Sequence, residues 1–145
     1  KIDQHSEFLT NFGEVLQIGE AIKVLSNQED TLFLDRSDDL IYWQADLLSS
    51  YKYVWYTSQM NHFPKYTEER LEMFRSSPPD FYKEYGSCPK KNEIPDEMLP
   101  SFVKEDYVRL YNLEKPSCLF VHKEKLKEIT PQQWKKAEEL LFAIF

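Results

Sequence analysis

The sequence is poor in glycine and basic charge, and it has no long apolar run. Its 3 glycines, at positions 13, 19 and 86, are too scattered to build a glycine-rich phosphate-binding loop. No apolar stretch approaches the roughly 20 residues that a membrane-spanning helix needs, and the first residues do not resemble a signal peptide. The net charge of −7 argues against nucleic-acid binding, because phosphate contacts need a basic surface. It also disfavours docking on an anionic lipid surface.

The chain contains 2 cysteines, Cys88 and Cys118, which do not form a metal-binding motif. They can pair if the compartment is oxidising and the fold brings them together, or they can remain separate thiols. The residues alone leave both possibilities open. The chain begins at Lys1 rather than at a methionine, so we expect it to be a fragment or a processed product.

Apolar spacing predicts alternating helices and strands. Apolar residues three to four apart between Phe8 and Leu25 indicate a first helix. The run "TLFLD" at 31–35 is typical of a strand buried on both faces. A second strand is predicted at 51–57, "YKYVWYT", and a weaker third strand at 80–86, "DFYKEYG".

Two more helices are predicted between these strands. The first, "SDDLIYWQAD", has Ser37 or Asp38 as its cap, and the second, "YTEERLEMFRSSPP", has Thr67. Near the end of the chain, "DYVRLYN" and "SCLFVHK" flank a turn and indicate an antiparallel hairpin. The closing helix "TPQQWKKAEELLFAIF" starts with Thr130 as cap and Gln133 placed for a capping box.

This order of elements predicts an α/β fold in one domain that spans residues 1–145. We expect a three-layer sandwich in which helices flank a short, mostly parallel sheet. A C-terminal antiparallel β-hairpin would extend the sheet at its edge, and the closing helix would follow it.

The stretch "TLFLDRSDDLIYWQAD" concentrates four carboxylates, at Asp35, Asp38, Asp39 and Asp46. An apolar strand that ends in Asp is how phosphatases of the haloacid dehalogenase type begin. Their second Asp, two residues later, is replaced here by Ser37. The spacings of an EF-hand loop and of a D-x-D metal clamp are also absent. We therefore expect no metal and no cofactor, and interpret the carboxylates mainly as helix caps and a solvated loop.

In an open α/β sheet, ligands bind beyond the carboxyl ends of the strands. No catalytic residue is predicted, but polar residues after the first two strands are candidates for binding. They are Asp35, Arg36, Asp38, Asp39, Ser58, Gln59, Asn61 and His62. Aromatic residues nearby could stack on a sugar ring, but their spacing is more typical of core residues. These aromatic residues are Tyr42, Trp43, Tyr51, Tyr53, Trp55 and Tyr56.

The chain also resembles a known family through an ordered series of short phrases. These are "IGEAIKVLS", "DTLFLDRSDDLIYWQAD", "YKYVWYTS", "RSSPPDF" and "YVRLYNLEKPSCLFVHK", followed by a closing helix. From about Gly19 to Phe145 it resembles the soluble C-terminal domain of bacterial GT-C type membrane glycosyltransferases, the dolichyl-phosphate-mannose–protein mannosyltransferase-like proteins. The segment "FYKEYGSCP" departs from that pattern.

The resemblance implies a domain without the catalytic residues, which in that family lie between the first membrane helices. It also implies a location on the extracytoplasmic face of the bacterial cell membrane, where preceding transmembrane helices tether the domain. The oxidising environment there favours a disulfide between Cys88 and Cys118. The expected partners are the membrane portion of the same polypeptide and a glycan or protein acceptor, not nucleic acid.

Two alternatives belong to other classes. A small phosphatase-like or metal-dependent enzyme would use Asp35 as its nucleophile, with Asp38 or Asp39 nearby. A free-standing interaction module would differ from the accessory domain only in the residues that precede Lys1.

Overall fold

The computed structural model describes residues 12–35, 39–54, 57–60, 62–84, 94–96, 98–112 and 118–143, without the side chains of residues 12, 14, 58, 59 and 112. Its helices and strands follow in this order: α1 (Phe12–Leu25), β1 (Thr31–Asp35), α2 (Leu40–Ala45), β2 (Leu48–Ser49), α3 (Thr57–Met60), α4 (Pro64–Ser76), β3 (Phe81–Glu84), β4 (Tyr107–Asn112), β5 (Leu119–His122), α5 (Lys123–Glu128), α6 (Pro131–Glu139) and β6 (Phe142–Ala143). The mixed α/β character predicted from the sequence is confirmed.

The six strands form one open sheet in the order β2-β1-β3-β5-β4-β6. Strand β1 lies between β2 and β3 and runs parallel to both. The pairings β3–β5, β5–β4 and β4–β6 are antiparallel. The three strands that were predicted to be parallel are parallel, but among the described residues three of the five strand pairings are antiparallel, so the sheet as a whole is mixed rather than mostly parallel. The reason is that β5, β4 and β6 extend the sheet one after another beyond β3, each antiparallel to its neighbour.

The second strand lies upstream of its predicted position. Residues 51–54 are not a strand, and the two-residue strand β2 precedes them. The phenol of Tyr42 explains why β2 is short: it accepts a hydrogen bond from the Leu34 N–H at 2.9 Å and donates one to Ser49 Oγ at 3.2 Å. A side chain thus satisfies a β1 amide that a longer β2 would have paired. Ser49 Oγ then bonds the N–H and C=O of Tyr51, which turns the chain away.

The helix starts were predicted with mixed success. The capping box of α6 is confirmed: Thr130 Oγ1 accepts from the Gln133 N–H, and the Gln133 side chain accepts from the Thr130 N–H. The predicted Thr67 cap is wrong, because α4 begins at Pro64, whose fixed φ suits a first turn. In α2, Asp39 occupies the N-cap position without a side-chain capping bond. Ser37 and Asp38 lie outside the described residues.

The closing helix is shorter than predicted. Helix α6 ends at Glu139, and Leu141 takes a positive φ of 68°. That left-handed residue turns the chain so that β6 pairs antiparallel with β4. The apolar residues at the end of the chain therefore contribute to a strand, with Phe142 fully buried.

Alternate residues along the strands point to opposite faces of the sheet and build two core clusters. On one face, aliphatic residues of the strands pack with α1, α2 and α6. On the other face, aromatic residues of the strands pack with α4. Phe33, Tyr82 and Phe120 are neighbours across β1, β3 and β5, and their rings stack at 5.7 Å and 5.8 Å between centroids. The candidate site lies at the end of this aromatic face.

Candidate functional site: a buried carboxylate at the end of strand β1

Asp35 is the last residue of β1 and is only 2% exposed. Its Oδ2 atom lies 2.7 Å from Nε of Arg70 in α4, an ion pair in which both side chains are buried. The Tyr66 hydroxyl donates to the other carboxylate oxygen, Oδ1, at 3.3 Å. Both oxygens of Asp35 therefore accept hydrogen bonds from within the protein.

The Arg70 guanidinium is engaged on several sides. Its Nη2 donates to the Tyr82 hydroxyl at 3.0 Å and to the Met98 carbonyl at 2.7 Å. Its Cζ lies 5.0 Å from the centroid of the Phe74 ring, within the range of a cation–π contact. The Tyr82 hydroxyl has one proton to donate and two acceptors within reach. The Met98 carbonyl oxygen lies 2.5 Å away and Asp35 Oδ2 lies 3.4 Å away, so the proton goes to Met98. The network thus joins β1, α4, β3 and the segment at Met98.

Regular spacing brings these groups together. Phe33 and Asp35 are two residues apart on β1 and share the face that α4 covers. The buried residues of α4 are Tyr66, Arg70, Met73 and Phe74, which lie three to four apart and form one stripe. Arg70 is the charged member of that stripe, and its position places the guanidinium beside Asp35.

The electrostatic environment keeps the phenols neutral and the guanidinium charged. Burial raises the pKa of Tyr82 well above its ordinary value, and it also raises the pKa of Tyr66, with a further contribution from the Asp35 charge. Burial acts to lower the pKa of Arg70, but Tyr82 and Asp35 more than offset this, so that the pKa of Arg70 is raised. Side chains whose pKa lies this far above 7 do not exchange protons readily at pH 7. The raised pKa values of Tyr66, Arg70 and Tyr82 therefore favour a structural role for these groups over acid–base catalysis.

The eight predicted binding residues do not form one described cluster. Asp35 is buried as above, whereas Asp39 and His62 are exposed. Ser58 and Gln59 lie in α3, and their side chains are not among those described. Arg36, Asp38 and Asn61 lie outside the described residues.

The partners of Asp35 were missed by sequence reasoning. Arg70, Tyr66 and Tyr82 come from α4 and β3, which lie 31 to 47 positions away along the chain. The available signal was an arginine at an inward-facing position of an otherwise apolar and aromatic helical stripe. A buried arginine requires an acidic partner, and among the described residues before α4 the carboxylate that ends a buried strand is Asp35.

Cys118 lies just before β5, is buried and is disulfide-bonded. Its carbonyl accepts a hydrogen bond from the Glu84 N–H at 3.0 Å, which continues the contact between the ends of β3 and β5. Cys88 lies outside the described residues, so its pairing with Cys118 stays a prediction.

Within the described part of the chain, no three histidine, cysteine or acidic side chains are grouped as metal ligands. No helix among those residues has the length and apolar character needed to cross a bilayer. We found no protein-family model, curated protein or solved structure that matches this chain.

Proposed function

We propose that this chain is a non-catalytic accessory domain of a membrane glycosyltransferase that transfers sugar from a lipid-linked donor. In this proposal the domain lies on the extracytoplasmic face of a bacterial membrane, tethered by transmembrane helices, and holds an acceptor or a partner. The sequence phrases that resemble the C-terminal domain of GT-C type enzymes motivate the proposal. The observation that carries its non-catalytic part is the burial of Asp35 against Arg70.

A nucleophilic carboxylate has to reach its substrate with a free oxygen lone pair. Asp35 is almost completely buried, its Oδ2 is paired with the Arg70 guanidinium and its Oδ1 accepts from Tyr66. For Asp35 to attack a phosphoryl or glycosyl group, this network would have to open and leave two buried charges apart. Removing one partner of a buried ion pair costs about 3–5 kcal/mol, and this figure sets the scale of the cost. The arrangement therefore favours a carboxylate that fixes α4 onto β1 over the phosphatase alternative.

Two further features support the proposed setting. A disulfide at buried Cys118 is typical of proteins that fold in oxidising compartments. The net charge of −7 keeps the domain away from an anionic lipid surface, as expected of a domain that projects from the membrane.

The proposed fold is the three-layer sandwich expected from the sequence. Helices α1, α2 and α6 would form one outer layer and α4 the other, because each group packs with a different core cluster. Strands β4 and β5 would form the C-terminal hairpin, in keeping with their antiparallel register from Tyr107–His122 to Leu110–Leu119.

Assays on the purified chain test the non-catalytic role. One assay measures sugar transfer from a lipid-linked donor, and the other measures magnesium-dependent release of phosphate from an aryl phosphate. We expect no turnover in either assay. Asp35→Asn should lower the melting temperature, and in both assays its rate should equal the background rate measured without protein. Phosphate release that Asp35→Asn abolishes would establish the phosphatase alternative, and sugar transfer by the isolated chain would rule out the accessory role.

Location is tested separately in the parent polypeptide in bacterial cells. Alkaline phosphatase fused after residue 145 becomes active only outside the cytoplasm, whereas green fluorescent protein exported by the general secretory route does not fluoresce there. We expect an active phosphatase fusion and a dark fluorescent one. The opposite pair of results would contradict the extracytoplasmic placement.

A further inference from the structure

We draw no further inference here: the strongest candidate, the side of helix α2 on which Trp43 is 77% exposed, carries none, because nothing in the described part of the structure shows what covers it.

Discussion

Removing the Arg70 side chain should cost this protein a large part of its stability. In Arg70→Met the aliphatic stem is kept, but the Asp35 carboxylate loses its cation, and the bonds from Nη2 to Tyr82 and Met98 are lost. Breaking one side of a buried ion pair typically costs about 3–5 kcal/mol. Single domains have about 5–15 kcal/mol in total, so this loss is at least about a fifth of the stability.

The measurement is urea and thermal unfolding at neutral pH, followed by circular dichroism. For a domain of this size, a loss of about 3–5 kcal/mol lowers the melting temperature by roughly 10 to 20 °C. The same substitution at Arg75 is the control. Arg75 is on the same helix, but it is more than half exposed and its Nη1 lies 3.8 Å from Glu72. We expect Arg75→Met to cost at most about 1 kcal/mol.

A double-variant cycle separates the ion pair from the lost packing. Asp35→Asn leaves the Arg70 cation buried without its counter-charge and should also destabilise strongly. The double variant Asp35→Asn/Arg70→Met should cost less than the sum of the two single variants, by more than about 1 kcal/mol, since it leaves no unpaired charge. The structural role of this pair would be refuted by either of two results. One is an Arg70→Met variant that loses no more stability than Arg75→Met, and the other is a double variant whose loss equals the sum of the Asp35→Asn and Arg70→Met losses.

Three further outcomes are expected. Gly19→Ala should lower the free energy of unfolding by about 1–3 kcal/mol, because the new methyl group overlaps Gln44. Gly13→Ala has open space around the new methyl group and should be neutral or slightly stabilising in the same urea unfolding assay. Thr130→Ala should cost about 1 kcal/mol through loss of the α6 cap; an unchanged urea midpoint would contradict the importance of that cap. Burial raises the pKa of Tyr107 above its value in the unfolded chain, so its contribution to stability is complete below about pH 10 and is lost as the pH rises further, by about 1.4 kcal/mol per pH unit. Unfolding curves between about pH 9 and pH 11 should accordingly become less pH-dependent in Tyr107→Phe than in the parent chain.

The parts of the fold that local patterns determine were predicted well. The apolar run at 31–35 became the buried strand β1, and Thr130 with Gln133 began α6 as expected. These features depend on residues within one or two turns of each other, so the sequence around them is sufficient. The order of alternating helices and strands likewise sufficed for the α/β class.

The elements that were misplaced depend on contacts between distant segments. The aromatic run at 51–57 has strong strand propensity, yet Tyr51 packs its ring against Phe33 at 5.4 Å instead of joining the sheet. Strand β2 ends early because the Tyr42 phenol takes the place of a backbone partner. The end of α6 depends on the left-handed turn at Leu141, and no glycine marks that turn in the sequence.

The candidate site divides in the same way. That a carboxylate lies at the carboxyl end of β1 could be predicted, because the strand boundary is visible in the sequence. Whether that carboxylate is available to a ligand could not, because the answer depends on which side chain α4 places over it. A leucine at position 70 would have left Asp35 buried without a counter-charge, and the arginine supplies the charge instead.

The network around Asp35 also accounts for why a charged pair is used where an apolar pair would pack α4 as firmly. Replacement of a buried ion pair by apolar residues is often neutral for stability, so attachment of the helix alone does not require it. The ion pair has the additional role of holding the Met98 carbonyl, which accepts hydrogen bonds from both Arg70 and Tyr82. That carbonyl belongs to a segment that contributes the buried Leu99. An apolar pair at positions 35 and 70 would hold the helix but would offer that carbonyl one donor fewer. The ion pair therefore couples the position of the segment at Met98 to the end of β1, and its value to the protein lies in fixing one arrangement of three segments.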